Sequence, residues 1–222
     1  MGKLVIAIDG PSGSGKSTLG KALARRLGSL YVDSGAVYRA VARKALDERV
    51  PLEDAEAIAR IARLSNINFE GDPDHLQVYL DGRDVTSEIR LPEASRASSI
   101  IATIPEVREA VVDKLRQMSR ARGVVMDGRD IGTKVFPEAQ VKLFLDASLG
   151  VRARRRREEE RERGRDVSVE QVRAELEERD RRDRARAATP LVKAADAISL
   201  DTSEMSLDCL LDHVLEIVKT RS

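Results

Sequence analysis

A glycine-rich segment near the N-terminus constrains the fold more than any other part of the chain. Residues 10–18 are Gly-Pro-Ser-Gly-Ser-Gly-Lys-Ser-Thr, which fits the G-x-x-x-x-G-K-[ST] pattern of a phosphate-binding loop, or P-loop. The continuously apolar run Leu4–Ile8 before it predicts a strand that is buried on both faces. Lys16–Leu27 after it has leucines four residues apart, which predicts an amphipathic helix. A P-loop between a strand and a helix predicts a nucleoside triphosphate site in an α/β fold.

The residue types in this loop suit a triphosphate. Its glycines let the backbone curl so that successive N–H groups point at phosphate oxygens. Lys16 can reach the β- and γ-phosphates, and Ser17 can offer its hydroxyl to Mg²⁺. A Gly/Ser-rich turn without a ligand is the alternative, and the strand and helix on either side argue against it. The predicted triphosphate contacts are Gly10, Pro11, Ser12, Gly13, Ser14, Gly15, Lys16, Ser17 and Thr18.

The composition argues against several classes of partner. Lys and Arg number 39 and Asp and Glu 38, so a net charge of +1 gives no reason to expect nucleic acid or an anionic membrane. One cysteine, Cys209, excludes an internal disulfide framework, and only two histidines accompany it, which argues against a zinc site. No apolar run approaches the roughly 20 residues of a membrane span. With no signal-like start, we expect a cytoplasmic protein.

Alternating strand and helix patterns predict the rest of the fold. Four further apolar runs predict strands: Ser29–Asp33, Gly123–Asp127, Val141–Asp146 and Ala197–Asp201. Helices are predicted over Val37–Glu48, Leu52–Leu64, Pro105–Arg122 and Ser206–Lys219. This order favours a five-stranded parallel sheet with helices on both faces. Ligands of such sheets bind beyond the carboxyl ends of the strands, so residues 33–35 and 127–130 should border one cleft with the P-loop.

Residues 68–85 have a different pattern. Turn signals at 71–73 and 81–82 flank the alternating residues Leu76, Val78 and Leu80, which predicts a small antiparallel insert outside the main sheet. Elsewhere, the spacing of Thr103 and Glu106 predicts a capping box at the start of a helix.

A charge-dense stretch covers residues 151–165 and continues through 170–186. Its simplest interpretation is a solvated helix pair stabilised by charge pairs four residues apart. Gly164 interrupts the first helix, and the capping-box spacing of Ser168 and Gln171 starts the second. With almost no buried face, this pair is predicted to move as a flap.

Arginines on this flap could contact phosphate. Arg179, Asp183 and Arg186 lie on one helical stripe, and Arg152 and Arg156 share another. Arginine can clamp phosphate through two hydrogen bonds. A mobile, arginine-bearing flap beside a P-loop suits phosphoryl transfer, because it neutralises charge and excludes water.

Taken together, these segments resemble those of the bacterial cytidylate kinases, within the nucleoside monophosphate kinase group. The P-loop is generic, but Asp-Ser-Gly-Ala-Val-Tyr-Arg at 33–39 and Asp-Gly-Arg-Asp-Ile-Gly-Thr at 127–133 are quite specific to that family. Further matches lie at 135–137, 145–147 and 178–186, and the insert resembles the bacterial type. The resemblance covers nearly the whole chain; Lys134 departs from it, since the family more often has an apolar residue there.

The resemblance implies ATP and Mg²⁺ as cofactors and a division of the chain into three kinds of region. The core would comprise residues 1–34, 101–148 and 171–222, with a monophosphate-binding region at 35–100 and a lid at 149–170. Substrate contacts would come from Ser34, Arg39, Ser99, Arg108, Arg129, Asp130, Arg179, Asp183 and Arg186. Lys16, Arg129, Arg156 and Arg186 would be catalytic, and Arg152 would lie against adenine.

Within that set, the resemblance implies that Ser99, Arg108 and Asp130 read the cytosine. The chemistry agrees, since a carboxylate accepts a hydrogen bond from the N4 amino group of cytosine and repels the O4 of uracil.

The resulting prediction is transfer of a phosphoryl group from ATP·Mg to CMP or dCMP by a monomer. A kinase for another small acceptor, such as UMP, AMP or shikimate, is one alternative. A nucleotide-dependent ATPase that binds nucleic acid through the arginine-rich stretch is another, and the near-neutral charge and 3% aromatic content argue against it.

Overall fold

The computed structural model describes residues 3–120, 122–186 and 190–221. Along the chain the strands are β1 (Val5–Asp9), β2 (Leu30–Asp33), β3 (Ile67–Glu70), β4 (Gln77–Leu80), β5 (Arg83–Asp84), β6 (Val124–Gly128), β7 (Val141–Asp146) and β8 (Ile198–Asp201). The α-helices are α1 (Lys16–Leu27), α2 (Ser34–Asp47), α3 (Ala55–Leu64), α4 (Pro92–Ile101), α5 (Pro105–Met118), α6 (Leu149–Glu162), α7 (Val169–Ala185) and α8 (Leu207–Arg221).

A parallel sheet of five strands forms the centre, in the order β2-β6-β1-β7-β8. Strand β1 is covered on both faces, as its apolar sequence predicts. Ala7 packs with α2, α3 and α5, whereas Ile6 and Ile8 pack with α1 and α8 on the other face. The predicted fold class is confirmed.

Strand register places the chemistry-bearing loops together. Asp33 pairs with Asp127 across β2 and β6, and Asp9 pairs with Gly128 across β1 and β6. The three strands are parallel, so the loops that follow them leave at one edge of the sheet. The expected meeting of residues 33–35, 127–130 and the P-loop is confirmed.

The P-loop depends on its glycines. Gly10, Gly13 and Gly15 have φ angles of 146°, 78° and 87°, a region that other residues rarely adopt. At Gly10 an added Cβ would lie 2.0 Å from the carbonyl oxygen of Leu145. No larger residue fits there, because the loop runs directly against the end of β7.

The predicted insert is present as the antiparallel sheet β3-β4-β5. Helix α4, which follows it, was missed. Its buried residues are small, such as Ala94, Ala97 and Ser98, so they leave no leucine stripe for a sequence pattern to detect. Small residues instead let α4 pack closely against α2.

The start of α5 corrects one prediction. The N-cap is Ile104, and Thr103 forms no capping box: its hydroxyl donates to the carbonyl of Ile100 at 2.7 Å. Pro105 occupies the first turn and has no N–H to satisfy. The helix ends at Met118 and not at the predicted Arg122; Ala121, inside that prediction, lies outside the described residues.

Helices α6 and α7 form an antiparallel hairpin around a small apolar cluster. Ala153, Val172 and Leu176 are buried in it, so the expectation of almost no buried face was wrong. Dense charge hid these apolar residues: Val172 and Leu176 lie four apart on α7, and Ala153 comes from the other helix. The capping box of Ser168 and Gln171 is confirmed at the start of α7. Among the described residues, none of the helices is long and apolar enough to cross a membrane.

Candidate active site

A cavity of about 600 Å³ opens at the carboxyl ends of β1, β2 and β6. We call it the cleft. Its walls come from the P-loop, α2, α4, the segment after β6, and the α6–α7 hairpin. The predicted site residues that line it are Ser12, Gly13, Gly15, Lys16, Ser17, Thr18, Ser34, Arg39, Ser99, Arg108, Arg129, Asp130, Arg156, Arg179, Asp183 and Arg186. Gly10, Pro11, Ser14 and Arg152 are not among its lining residues.

Lys16 lies at the floor of the cleft with its side chain folded over the P-loop. Its Nζ donates to the carbonyl of Pro11 at 2.6 Å and lies 3.5 Å from Oγ of Ser14. Burial, together with the nearby positive charge of Arg129, lowers the pKa of Lys16 to about 7. A phosphate group beside Nζ would raise this pKa again, because its negative charge stabilises the protonated lysine.

Two side chains that carry oxygen atoms, Ser17 and Asp127, lie beside this lysine in the cleft lining. The Ser17 hydroxyl donates to Oδ2 of Asp127 at 2.7 Å, and the Tyr31 hydroxyl donates to the other carboxylate oxygen at 3.0 Å. Burial and the nearby Asp33 raise the pKa of Asp127 to about 6. Within the described ranges, no group of three or more His, Cys, Asp or Glu side chains could hold a metal alone. A hydroxyl and a carboxylate fit Mg²⁺ that takes its remaining ligands from phosphate and water.

The opposite wall carries a buried ion pair. Arg108 on α5 donates through Nη2 to Oδ2 of Asp130, and its Nη1 donates to the carbonyl of Ala102 at 3.1 Å. Both side chains are less than a tenth exposed. Oγ of Ser99 and Nε of Arg108 are buried without a hydrogen-bond partner. Buried polar atoms are normally paired, so this wall offers unfilled positions to a polar ligand.

Tyr38 belongs to this wall as well as to the core. Its ring packs against the apolar cluster of α2 and α5. It also lines the cleft, with the guanidinium carbon of Arg108 5.8 Å from the ring centroid. This second position was not predicted, because an aromatic residue on an apolar helix face is typical of the core.

A second group of charges joins α7 to the segment after β6. Asp183, only 1% exposed, accepts from Nε of Arg129 at 2.7 Å and from Nη2 of Arg186. Burial opposes its ionisation, but Arg129, Arg186 and Arg179 hold the pKa of Asp183 at about 2. The stripe predicted for α7 therefore faces the cleft. Nε of Arg179 is buried without a partner, and burial plus Arg129 lower its pKa to about 9.

Asp33 ends β2 and has two partners. It caps α2 by accepting from the backbone N–H of Ala36 at 3.2 Å, and it pairs with Arg39 at 2.6 Å. Burial opposes its ionisation, yet Arg39 holds the pKa of Asp33 below its usual value. This cap starts α2 at Ser34, three residues before the predicted start at Val37.

The two arginines of α6 that were predicted to belong to the site occupy different environments. Arg156 lines the cleft and pairs with Glu159 at 2.9 Å and Glu160 at 2.5 Å. Arg152 is buried behind the P-loop: its guanidinium donates to the carbonyls of Ala147 and Ser12 and to Asp180. The predicted adenine contact of Arg152 stays a prediction.

Sequence reasoning missed the partners Asp127 and Tyr31 as functional residues. Asp127 carried a signal, since it lies next to the end of an apolar strand, on the same edge of the sheet as the P-loop. Tyr31 carried none, because only the pairing of β2 with β6 brings its hydroxyl to Asp127.

The family described as cytidylate kinase matches residues 6–220. A cytidylate kinase of Desulfitobacterium hafniense is 50% identical over 214 residues, which are 96% of this chain and 92% of that protein. A cytidylate kinase of Pelotomaculum thermopropionicum is 52% identical over 211 residues, 95% and 93% of the two chains.

Solved structures show the same fold at low identity. A shikimate kinase from Bacteroides thetaiotaomicron aligns with a TM-score of 0.50 at 12% identity, over 98% of this chain and 99% of that one. An uncharacterized protein from Eubacterium ventriosum aligns with a TM-score of 0.54 at 13% identity, over 99% and 100%. These two support the fold alone, whereas the family match and the curated relatives cover the cleft residues too. The chain belongs to the cytidylate kinase family.

Proposed function

We propose that this enzyme transfers the γ-phosphoryl group of ATP·Mg to CMP or dCMP, giving ADP and CDP or dCDP. One observation carries the proposal. A single cleft joins the P-loop lysine to a wall on which a buried Arg108–Asp130 pair lies beside unpaired polar atoms of Ser99 and Arg108. A triphosphate and a polar base can therefore be held in one enclosure.

On the donor side, the P-loop N–H groups and Lys16 would hold the β- and γ-phosphates. Ser17 and Asp127, 2.7 Å apart, would hold Mg²⁺. When bound, Mg²⁺ would offset the negative charge of the phosphates. Tyr31 fixes the orientation of Asp127 by donating to its second oxygen. The placement of Arg152 against adenine remains a proposal drawn from the family resemblance.

On the acceptor side, Asp130 would accept from the N4 amino group of cytosine, and Arg108 and Ser99 would donate to its other edge atoms. Uracil presents an oxygen at position 4, which Asp130 repels. Ser34 and Arg39 would contact the acceptor phosphate. Arg179, Asp183 and Arg186 would meet the ribose and phosphates.

The chemical step needs no protein base. A phosphate monoester has a second pKa of about 6, so the acceptor phosphate is largely dianionic at neutral pH. One of its oxygens forms a bond to the γ-phosphorus as the bond from that phosphorus to the β–γ bridging oxygen breaks and ADP leaves. Lys16, Arg129, Arg156 and Arg186 would offset the charge that spreads over the transferring group.

Three further features belong to the proposal. Residues 35–100 form the monophosphate-binding region and 149–170 the lid, because α2, α4 and α6 supply separate walls of the cleft. The chain acts as a monomer without a nucleic acid partner, in keeping with its net charge of +1. It works in the cytoplasm, where its single cysteine stays reduced.

An ADP-release assay tests the proposal with ATP·Mg against CMP, dCMP, UMP, AMP, shikimate and no acceptor. We expect rapid turnover with CMP and dCMP, weak turnover with UMP, and negligible ADP release without acceptor. Equal ATP hydrolysis with and without acceptors would contradict the kinase assignment. A preference for AMP or shikimate would keep the kinase reaction but reject the proposed acceptor.

A further inference from the structure

Asp9 is a buried carboxylate to which the proposed reaction assigns no role. It ends β1, directly before Gly10 of the P-loop, and it is 4% exposed. Its two oxygens accept from the backbone N–H groups of Ile131 and Gly132, both at 2.8 Å. It is thus attached to the donor loop through the chain and to the segment after β6 through hydrogen bonds.

The two N–H groups belong to the start of a short π-helical turn at Ile131–Val135. The first N–H groups of a helical turn have no partner within it. Asp130, which precedes the turn, supplies no side-chain cap, because its carboxylate pairs with Arg108. Asp9 therefore takes the place of the missing cap from another strand, and its removal would leave buried N–H groups unpaired.

This turn fixes the residues that face the acceptor. The backbone carbonyl of Asp130 accepts from the N–H of Lys134 at 2.8 Å, so Asp130 is built into the turn. Arg129 precedes it and pairs with Asp183 on α7. A shift of the turn would move Asp130 and Arg129 together relative to Lys16, and an error of about 1 Å in such a position can cost on the order of 100-fold in rate.

We propose that Asp9 is a positioning residue that holds the Arg129–Asp130 wall in register with the P-loop and thereby sets the selectivity for the acceptor base. The proposal rests on the proposed function. Asp9 does not line the cleft, so it acts through the turn and not by touching a nucleotide.

The variant Asp9→Asn tests this, since it keeps the shape but has only one acceptor oxygen for two N–H groups. We expect the KM for CMP to rise on the order of tenfold and the CMP-over-UMP ratio of kcat/KM to fall, while the KM for ATP changes by less than about twofold. Faster amide exchange at Ile131 and Gly132, measured by NMR, should accompany these changes.

Asp201→Asn is the matched control. Asp201 also ends a strand of the sheet and accepts a backbone N–H, from Ser203 at 2.8 Å, but it is exposed and lies outside the cleft lining. We expect wild-type constants and exchange rates for it.

A folded Asp9→Asn enzyme with an unchanged CMP-over-UMP ratio would overturn the proposal, as would equal losses toward ATP and CMP. If that variant does not fold, Gly132→Ala perturbs the same contact more mildly. Its added Cβ would lie 3.3 Å from Oδ2 of Asp9 and 3.2 Å from Cδ of Lys142. We expect the CMP-over-UMP ratio of kcat/KM to fall for this variant too, but by less than for Asp9→Asn. No change in that ratio for a folded Gly132→Ala enzyme would also overturn the proposal.

The wild-type acceptor panel separates this test from the proposed function. If the wild type prefers another acceptor, the cytidylate assignment fails. The positioning role of Asp9 is then tested by amide exchange at Ile131 and Gly132 and by the KM for that acceptor, both of which should increase in Asp9→Asn.

Discussion

Ion pairs hold several arginine side chains of the cleft in place, while certain buried polar atoms have no hydrogen-bond partner. Arg129, Arg186 and Arg108 are already paired with carboxylates, whereas Nε of Arg179 and Oγ of Ser99 have no partner in the described structure. The carboxylates orient the paired arginines and reduce the repulsion between these positively charged side chains. A nucleotide should gain most binding free energy at the unpaired atoms, because folding has already removed water from them and a hydrogen bond to the ligand offsets that cost.

Lys16→Ala should abolish turnover and leave the fold intact. We expect kcat to fall by at least about 100-fold, since the only P-loop cation is lost. The free energy of unfolding should stay the same or increase, because burial of this ammonium is unfavourable, as its pKa of about 7 indicates. Steady-state kinetics and urea unfolding measure both.

Lys193→Ala, at an exposed lysine outside the cleft lining, is the control and should behave as wild type. Activity of Lys16→Ala within tenfold of wild type would remove the catalytic role of Lys16.

Asp130→Asn should erode the preference for CMP over UMP. The amide can present its NH₂ to the O4 of uracil, so the kcat/KM ratio should fall by about tenfold, within the 1–3 kcal/mol that such a contact is worth. Arg108 would lose its buried partner, so the free energy of unfolding should fall as well. An unchanged ratio in parallel assays with both acceptors would mean that the base is read elsewhere.

At the scale of elements, α7 is attached to the segment after β6 mainly through Asp183. The carboxylate pairs with Arg129 from that segment and with Arg186 at the end of its own helix. The hairpin of α6 and α7 has only a small apolar cluster of its own. Its position over the cleft therefore depends on charge as much as on apolar packing.

The stabilisation by Asp183 should depend on pH with a definite sign. Its pKa is about 2 in the fold against 3.8 for the free side chain, so the folded state binds fewer protons than the unfolded state between these values. The stabilisation of about 2 kcal/mol is present above pH 4 and is lost as the pH falls through the folded value.

Asp183→Asn should consequently lower the free energy of unfolding most near neutral pH, and the difference from wild type should shrink toward pH 2. Urea unfolding across this range measures it. Asp212→Asn, at an exposed position of α8, is the control. A difference that does not change with pH would show that ion pairing is not the cause.

For the whole molecule, the P-loop, α2, α4, the segment after β6 and the α6–α7 hairpin surround one cavity, so two bound nucleotides should stabilise the protein more than either alone. Each ligand at about 100 times its Kd contributes about 2.7 kcal/mol, or a Tm increase of about 5 to 10 °C for a chain of this size. We expect a larger increase with a non-hydrolysable ATP analogue plus CMP, measured by thermal unfolding. A Tm with both that equals the better single value would mean that the two sites exclude each other.

The sequence alone determined the parts of this protein that depend on neighbours along the chain. The P-loop, its flanking strand and helix, the strand-end aspartates and the charged stripe of α7 follow from local periodicity and backbone freedom, and most of the predicted cleft residues do line the cleft. The family resemblance supplied the acceptor.

Tertiary structure decided which charges meet, since those pairs join residues far apart in the chain. Asp9 and Ile131 are 122 positions apart, and Tyr31 reaches Asp127 only because β2 pairs with β6. Arg152 is directed behind the P-loop by three partners from separate segments. Helix α4 forms against α2 through small residues that give no periodic signal. In each case the deciding free energy comes from burial and pairing between distant segments, which exist only once the sheet has assembled.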